Sequence, residues 1–350
     1  MFASIWIIIF KAMIKRIVYV QLIALINLLV FTSCDDPVSE EDEDLVGNWI
    51  ELSDFEGVAR SDAVGFSIGS KGYVGTGYDG SDRLNDFWEY DVGKNTWMQK
   101  ADFPGGARNG AVGFGTDTKG YIGTGYDGEN KMNDFWEYDP TTNSWTQKPD
   151  FAGSSRYGAI GISINNKGYI GTGFDGNYLK DFWEYDPIEE KWNQKVSVGG
   201  GKRRDAVAFV IEGKAYVCTG IANGSYENDF WEYNPQTDSW TAKRKISDAT
   251  DETFDDEYTS IIGISKVAFS VGGRGYVATG GQNTADRVVW EYDPGTDLWE
   301  KKTSLEATGR SQAVAFSIGD QAFITTGRNS TYYFDDIWCF EPFSEYDEYD

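Results

Sequence analysis

The stretch Phe87-Trp88-Glu89-Tyr90-Asp91, followed by Thr96-Trp97, decides the fold because its Tyr-x6-Trp spacing recurs along the chain. The spacing occurs at Tyr90 and Trp97, Tyr138 and Trp145, Tyr185 and Trp192, Tyr233 and Trp240, and Tyr292 and Trp299. The Phe-Trp-Glu-Tyr run begins at Phe87, Phe135, Phe182 and Phe230, with degenerate copies from Val289 and Ile337. A segment that returns at a period near 50 residues indicates a repeat protein of six units.

A glycine turn precedes each aromatic run. Gly72-Tyr-Val-Gly-Thr-Gly77 recurs at 120–125 and 168–173, and more loosely at 215–220, 275–280 and 322–327. Short apolar runs flank the turns, and no segment has helical periodicity. Each unit is therefore predicted to form four short antiparallel strands, here named a, b, c and d in chain order.

The two ends of the chain are predicted to close the ring. The sixth unit stops after its c strand, whereas Gly47-Asn-Trp-Ile-Glu-Leu52 resembles the d strands at 94–100 and 142–148. A ring closed by the N-terminal strand leaves no long open sheet edge. We predict an all-β, six-bladed β-propeller over residues 47–342, with Trp49 in the last blade.

The repeat resembles the kelch family of β-propellers. In that family a glycine turn follows strand b, and a Tyr-x6-Trp spacing joins strands c and d. The family's double glycine is here mostly Thr-Gly, as at Thr76-Gly77. The resemblance implies a fold and not one function, because kelch propellers include cytoskeletal binders, substrate adaptors, sugar mutarotases and copper oxidases.

Composition excludes several activities. The 350 residues suit one large β domain and contain no histidine, so the commonest general base and metal ligand are missing. The resemblance to kelch propellers would otherwise admit copper oxidation of the galactose oxidase type, which uses histidine ligands. Apart from Trp6, every tryptophan lies at a repeat position, which leaves none as a separate sugar platform. We expect no cofactor and no bound metal.

The N-terminus has the layout of an export signal. Lys11, Lys15 and Arg16 precede the apolar stretch from Ile17 to Phe31, and Cys34 follows two small residues. The ending resembles a bacterial lipobox, so residues 1–33 are predicted as a lipoprotein-type signal peptide. Cys34 is predicted to carry the lipid that attaches the protein to a membrane. An uncleaved anchor is the alternative, although the stretch is short for a span.

Acidic segments flank the predicted propeller. Residues 34–46 are predicted as a solvated tether and residues 343–350 as an acidic tail. The tether resembles the surface-export signal of lipoproteins of the Bacteroidetes type, which favours the outer membrane or the cell surface. A periplasm-facing lipoprotein is the alternative, and translation from Met13 in place of Met1 stays open.

The two remaining cysteines, the net charge and the Asp-Gly pairs each bear on possible partners, and we predict a monomer that does not bind nucleic acid. Cys218 and Cys339 fall in non-adjacent units, which predicts buried free thiols. A net charge of −25 makes nucleic acid an improbable partner. Asp-Gly pairs such as Asp79-Gly80 are favoured as turns over calcium sites, because each supplies one carboxylate.

One face of the propeller is the candidate ligand site. The b-to-c and d-to-a loops emerge together on this face, hereafter the loop face. Its d-to-a loops carry Arg60, Arg108, Arg156, Arg203 and Arg310, and its b-to-c loops carry Tyr78, Tyr126, Phe174 and Tyr226. Arginines beside aromatic residues would suit an anionic peptide or sugar. An arginine that recurs in every unit is equally expected if it bonds loops together.

The fifth unit breaks this pattern. Gly263 replaces the arginine, and the preceding insertion, residues 246–262, carries Asp255, Asp256 and Glu257. Function is often found where a repeat departs from itself, so the insertion is predicted to flank or cover the loop face.

Two function classes follow. The first is a non-catalytic module that captures a protein or glycan on the loop face. The alternative is a sugar mutarotase or epimerase similar to the sialic-acid enzymes built on kelch propellers, in which an arginine would hold a carboxylate and a loop Asp or Glu would move protons. Whether the protein is an enzyme is left open at this stage.

Overall fold

The computed structural model describes residues 46–347 and Tyr349, and these form six four-stranded antiparallel sheets around a central channel. The predicted signal peptide, the lipidated Cys34 and residues 34–45 of the tether lie outside the described residues. The described part of the chain is strand and loop, so it offers no helix of membrane-spanning length and hydropathy.

The first three blades each take four consecutive strands. Blade I has β2 (Val64–Ile68), β3 (Lys71–Gly75), β4 (Phe87–Asp91) and β5 (Thr96–Gln99). Blade II has β6 (Val112–Gly115), β7 (Gly120–Gly123), β8 (Phe135–Asp139) and β9 (Ser144–Lys148). Blade III has β10 (Ile160–Ile164), β11 (Lys167–Gly171), β12 (Phe182–Asp186) and β13 (Lys191–Lys195).

The other three blades depart from this order in two places. Blade IV has β14 (Val207–Ile211), β15 (Lys214–Cys218), β18 (Phe230–Asn234) and β19 (Ser239–Ala242), and its b-to-c loop forms the hairpin β16 (Ile221–Ala222) and β17 (Ser225–Tyr226). Blade V has β20 (Val267–Val271), β21 (Arg274–Ala278), β22 (Val289–Asp293) and β23 (Leu298–Lys302). Blade VI has β24 (Val314–Ile318), β25 (Gln321–Thr325), β26 (Ile337–Glu345) and the N-terminal β1 (Val46–Glu51).

Alternation along the a strands explains both the core and the channel. In β2, Val64, Phe66 and Ile68 are buried between blades, whereas Gly65 and Ser67 face the channel. Phe66 packs on Gly120, the first residue of the b strand in the next blade. A Cβ on Gly120 would lie 2.4 Å from the Phe66 ring, so only glycine leaves room for the ring. The same contact joins Phe316 to Gly72 and Phe114 to Gly168, so packing between blades requires glycine at the start of the turn motif in blades I, II and III.

The N-terminal strand closes the ring as predicted. β1 pairs antiparallel with β26, with Trp49 opposite Phe340. Trp49 is fully buried and stacks on Phe340 at 4.6 Å between ring centroids, and its indole Nε1 donates to the Thr303 carbonyl at 3.0 Å. The strand therefore bonds to blade VI and also to the segment that leaves blade V.

The boundaries at the chain ends differ from the prediction. β26 continues to Glu345, which pairs with Val46, so residues 343–345 belong to the sheet and not to the acidic tail. Backbone pairing with β1 extends the last strand beyond the apolar residues that the sequence analysis used. Cys218 and Cys339 are buried and unbonded, as predicted. Burial raises the pKa of each thiol to about 12, which keeps both thiols protonated and unreactive.

Candidate functional site

The five repeated arginines are buried clamps inside their blades. Arg60 is fully buried, and its guanidinium holds the Asp86 carboxylate through two hydrogen bonds, Nη1–Oδ1 at 2.5 Å and Nη2–Oδ2 at 2.7 Å. Nη1 also donates to the Thr76 carbonyl at 3.0 Å. Each arginine thus ties a d-to-a loop to the glycine turn and to the residue before strand c.

The same clamp recurs in four other blades. The pairs are Arg108–Asp134, Arg156–Asp181, Arg203–Asp229 and Arg310–Asp336, at 2.5 or 2.6 Å. All five arginines are fully buried, so the expectation that they contact a ligand is wrong. Buried charge is tolerated only when it is paired and hydrogen-bonded, and the blade's own aspartates and carbonyls already supply those partners.

In blade V a lysine and an aspartate at other positions take the place of the arginine clamp. Gly263 stands where the other blades have arginine, and Val288 stands where they have the paired aspartate. In their place Lys266 Nζ donates to the Thr279 carbonyl at 2.7 Å and lies 3.6 Å from the Asp286 carboxylate. Burial lowers the pKa of Lys266 despite Asp286. The missing arginine therefore marks a structural substitution, not a gap in a ligand site.

The insertion of blade V is anchored to that blade. Ile246, Tyr258 and Ile261 are buried, and the Tyr258 hydroxyl accepts a hydrogen bond from the Trp299 amide at 2.7 Å. Among the described residues, no hydrogen bond, ion pair or ring contact joins residues 248–258 to the channel mouth described below. Tyr258 takes the place that Phe55, Phe103 and Phe151 hold in other blades, against the c-strand tryptophan.

The three acidic residues predicted in this insertion have different positions. Asp255 is fully buried and accepts hydrogen bonds from Ala249 and Thr250, so it holds its own loop and does not face a ligand. Asp256 and Glu257 are exposed, and their part in binding stays a prediction. Asp248, Asp255 and Asp256 are the one group of described carboxylates that could hold a cation, with ligand atoms within 4.8 Å of one another.

The residues two places after each arginine, together with Ser265 two places after Gly263, form a collar around one end of the channel. The collar consists of Asp62, Gly110, Gly158, Asp205, Ser265 and Gln312. Backbone amides of five collar residues donate to the carbonyl of the preceding collar residue at 2.9–3.0 Å, as from Gly110 to Asp62 and from Asp205 to Gly158. All six residues have φ between 51° and 63°, with Asp62 at 52° and Gly158 at 62°. This conformation turns each loop towards the axis.

Side chains from several blades meet over the collar. Arg328 Nε donates to Gln312 at 2.7 Å, and Gln312 Nε2 donates to the Asp62 carboxylate at 2.7 Å. Asn109 Nδ2 donates to the same carboxylate at 3.2 Å, and Asn109 Oδ1 accepts from Arg83 Nε at 2.7 Å. The η nitrogens of Arg83 and Arg328 make no hydrogen bond with the described residues, so both guanidinium groups can take a ligand.

A second carboxylate completes the mouth from the opposite side of the ring. Asp205 pairs with Arg204 at 2.9 Å. Burial raises the Asp205 pKa to about 6, Arg204 opposes this rise, and the charge on Asp62 adds to it. Burial also raises the Asp62 pKa, against the Asn109 and Gln312 hydrogen bonds and the Arg328 charge. Asp62 and Asp205 come from blades I and IV, which lie on opposite sides of the six-bladed ring.

Asp205→Asn is expected to stabilise the protein at pH 7.5, by about 1–3 kcal/mol. A carboxylate whose pKa rises on folding contributes stability that is present below the unfolded value of 3.8 and is lost as pH rises through about 6. Asparagine does not ionise, so the variant does not lose this stability as pH rises. The difference in unfolding free energy between Asp205→Asn and the parent should therefore shrink as pH falls from 7.5 towards 4. Urea unfolding at several pH values measures this difference.

Asp127→Asn serves as the matched control, because hydrogen bonds from the Asn130 and Glu129 amides lower the Asp127 pKa. That variant should be destabilised or unchanged at pH 7.5. If Asp205→Asn behaved like Asp127→Asn, the Asp205 carboxylate would not be held in an unfavourable setting, and its special position at the mouth would be refuted.

Aromatic rings form a belt beside the mouth. The belt runs Tyr333, Tyr78, Arg83, Tyr126, Tyr157, Phe174 and Tyr178, with successive contacts of 4.9–6.2 Å. Three of the four predicted aromatic residues, Tyr78, Tyr126 and Phe174, lie in it. Tyr226 does not, because its hydroxyl donates to the Gln282 carbonyl and so links blades IV and V.

Sequence reasoning missed most of the polar residues of the mouth. These are Asp62, Arg83, Asn109, Arg204, Asp205, Gln312 and Arg328. A signal for several of them was present: the two residues that follow the repeated arginine differ from blade to blade, as in Ser61-Asp62, Asn109-Gly110 and Arg204-Asp205. Positions that vary inside a repeated loop are free of the scaffold's demands, so they can serve a ligand.

Comparisons with known proteins agree with this architecture. The family model described as the Kelch motif matches residues 73–104, 125–152 and 202–244. The chain thus carries kelch motifs on a six-bladed β-propeller with four antiparallel strands per blade. A solved structure titled "Structure of YjhT" is similar, with a TM-score of 0.68 and 17% identity over 82% of this chain and 95% of that one. This likeness shows the fold alone. No curated protein matches the sequence significantly.

Proposed function

We propose that this protein is a non-catalytic binding module that captures a protein or glycan on the loop face of its propeller. The observation that carries the proposal is the meeting of non-repeated polar side chains from blades I, II, IV and VI over the channel mouth. The scaffold does not need these residues, because the buried clamps already hold the loops.

The mouth favours a ligand that carries an anionic group. Arg83 and Arg328 direct unbonded η nitrogens to a surface that also has the aromatic belt, and guanidinium groups bind carboxylates through paired hydrogen bonds. Cys34 would attach the module, as a monomer, to the outer membrane or the cell surface through its lipid, with the acidic tether as a spacer. This placement rests on the N-terminal sequence.

An array of acidic and neutral glycans and peptides tests the proposal with the full chain. Arg328→Ser is expected to lower the signal of a bound probe at least tenfold, because one charge-assisted contact contributes about 1.5–3 kcal/mol. Lys94→Ser is the control, since Lys94 is an exposed cation on the opposite face with its side chain 76% exposed. Equal loss in both variants, or loss in Lys94→Ser alone, would refute binding on the loop face.

A sugar mutarotase is the second candidate, and Asp205 favours it. A carboxyl with a pKa of about 6 beside Arg204 is suited to move protons near neutral pH. Anomer exchange of N-acetylneuraminic acid, followed by NMR, separates the two candidates. A binding module leaves the exchange at its rate in buffer, whereas acceleration that disappears in Asp205→Asn would establish the enzyme.

A further inference from the structure

A cleft of about 630 Å³ lies on the loop face between the b-to-c loops of blades III and IV. The blade III loop is one residue shorter than those of blades I and II, so Tyr178 takes the place of Arg83 and Lys131 opposite the loop's first aromatic residue. Blade IV has Ile221 where the earlier blades have Tyr or Phe. A shorter loop on one side and a smaller residue on the other open the space between these blades.

Two glycines with positive φ lie in the loops that border the cleft. Gly176, at φ 125°, lines it, and Gly224, at φ 83°, forms the hairpin turn on its other side. A Cβ at either position would meet no atom within 4 Å, so neither glycine is required by packing against a neighbour. Pockets of this size commonly hold small ligands or single units of larger ones.

The walls of the cleft combine aromatic rings with neutral polar groups. Phe174 and Tyr178 line one side and pack edge to face at 5.2 Å between centroids. Asn177 lies on the same loop, and Asn223 with Ser225 lines the opposite hairpin. Lys202 adds one exposed cation from the d-to-a loop. The cleft therefore offers an apolar surface with several hydrogen-bonding groups around it.

Glu227 gives the cleft a carboxylate that blades I, II and III lack at this position. The equivalent residues, whose amides bond to the glycine of the turn in the same way, are Leu84, Met132, Leu179, Asp286 and Phe334. The blade V carboxylate, Asp286, faces the buried Lys266, whereas Glu227 lines the cleft. Glu227 Oε2 lies 3.8 Å from Nη2 of the buried Arg203, which also pairs with Asp229 at 2.5 Å. Two carboxylates thus share one guanidinium.

Arg203 Nη2 already lies 2.5 Å from Asp229, although without good hydrogen-bond geometry, so the clamp does not need Glu227 as a second partner. The Glu227 side chain is 24% exposed and lines the cleft. A carboxylate that the scaffold does not require, at a position that is apolar in four of the other blades, indicates a functional role.

We propose that this cleft binds a neutral hexopyranose unit of a glycan. The apolar face of the sugar lies on the aromatic wall, and its hydroxyls donate to Glu227 and bond to the asparagines. Glu227 disfavours phosphate or carboxylate groups, and one exposed lysine is too little positive charge to reverse this. The inference rests on the proposed function and names the ligand class of one part of the loop face.

Titration of the full chain with neutral methyl hexopyranosides and disaccharides, followed by saturation-transfer NMR and calorimetry, tests the cleft. Glu227→Leu introduces the residue that blades I and III have at this position, so the variant should fold at least as well as the parent. We expect it to weaken saccharide binding at least tenfold, and Glu227→Gln to weaken it less. Lys94→Ser, on the opposite face, should change saccharide affinity less than twofold.

Four outcomes separate this inference from the proposed function. Saccharide binding that is lost in Glu227→Leu and kept in Lys94→Ser supports the cleft. Binding unchanged in Glu227→Leu overturns it. Absence of saccharide binding, with an array probe still captured through Arg328, overturns the cleft and leaves the proposed function standing. Absence of both overturns both.

Discussion

Arg156→Met is expected to destabilise the propeller by about 3–5 kcal/mol, because it leaves the Asp181 carboxylate without its buried partner. Arg156 is fully buried, holds Asp181 through Nη1 at 2.6 Å and Nη2 at 2.7 Å, and also bonds the Thr172 carbonyl at 2.9 Å. Methionine fills a similar volume but supplies none of these donors. Urea unfolding followed by tryptophan fluorescence measures the loss.

Two variants control for this interpretation. Adding Asp181→Asn to Arg156→Met removes the unpaired charge and should recover part of the loss. Lys266→Met, in blade V, should cost less than Arg156→Met, since Lys266 makes one hydrogen bond and one longer ion contact. An Arg156→Met protein as stable as the parent would contradict a structural role for the arginines and would make them candidates for ligand binding again.

Trp49→Ala is expected to cost a similar amount, about 3–5 kcal/mol, because it removes the largest buried ring from the strand that closes the ring. The substitution deletes the stack on Phe340 and the bond to Thr303 at once. Hydrogen exchange of β26 amides should rise together with the loss of unfolding free energy, because β1 is the only neighbour of β26 on that side.

Trp192→Ala is the matched control, since Trp192 has the equivalent place in blade III and bonds the Pro149 carbonyl in the same manner. Trp192 is only partly buried, so its loss should cost less and should leave β26 exchange unchanged. If both variants raised hydrogen exchange of the β26 amides equally, the ring would unfold as one unit whichever blade is changed. Closure by β1 would then contribute no more to stability than any other blade contact.

The repeat made the fold predictable at the level of single residues. In one unit, Gly72 and Gly77 mark strand b and its turn, and Tyr90 and Trp97 mark the paired strands c and d. Because the unit recurs six times, a ring of six blades is the arrangement that pairs every strand. Even the closure by Trp49 could be predicted, because a missing d strand at one end has to be supplied by the other. Boundaries were less certain, as the paired Phe343–Glu345 segment shows, since backbone pairing does not need apolar residues.

The site could be predicted only in part. Topology alone placed Tyr78, Tyr126 and Phe174 on the loop face, where the structure has them. Arg60 and its four equivalents were on that face too, yet whether a loop arginine points to solvent or to its own aspartate depends on the turn geometry. The sequence contained Asp86 and Thr76 without showing that both lie within reach of one guanidinium.

By itself, the sequence determined the ring, its six blades, its closure and the absence of histidine chemistry, because these follow from composition and from spacing within one unit. Only the tertiary structure decided which loop residues meet. Asp62 and Asp205 are 143 positions apart, and each lies two places after a repeated arginine, but that shared position does not show where their blades lie in the ring. Blades I and IV lie on opposite sides because the ring closes after six blades, and the meeting of their loops is a property of the assembled ring.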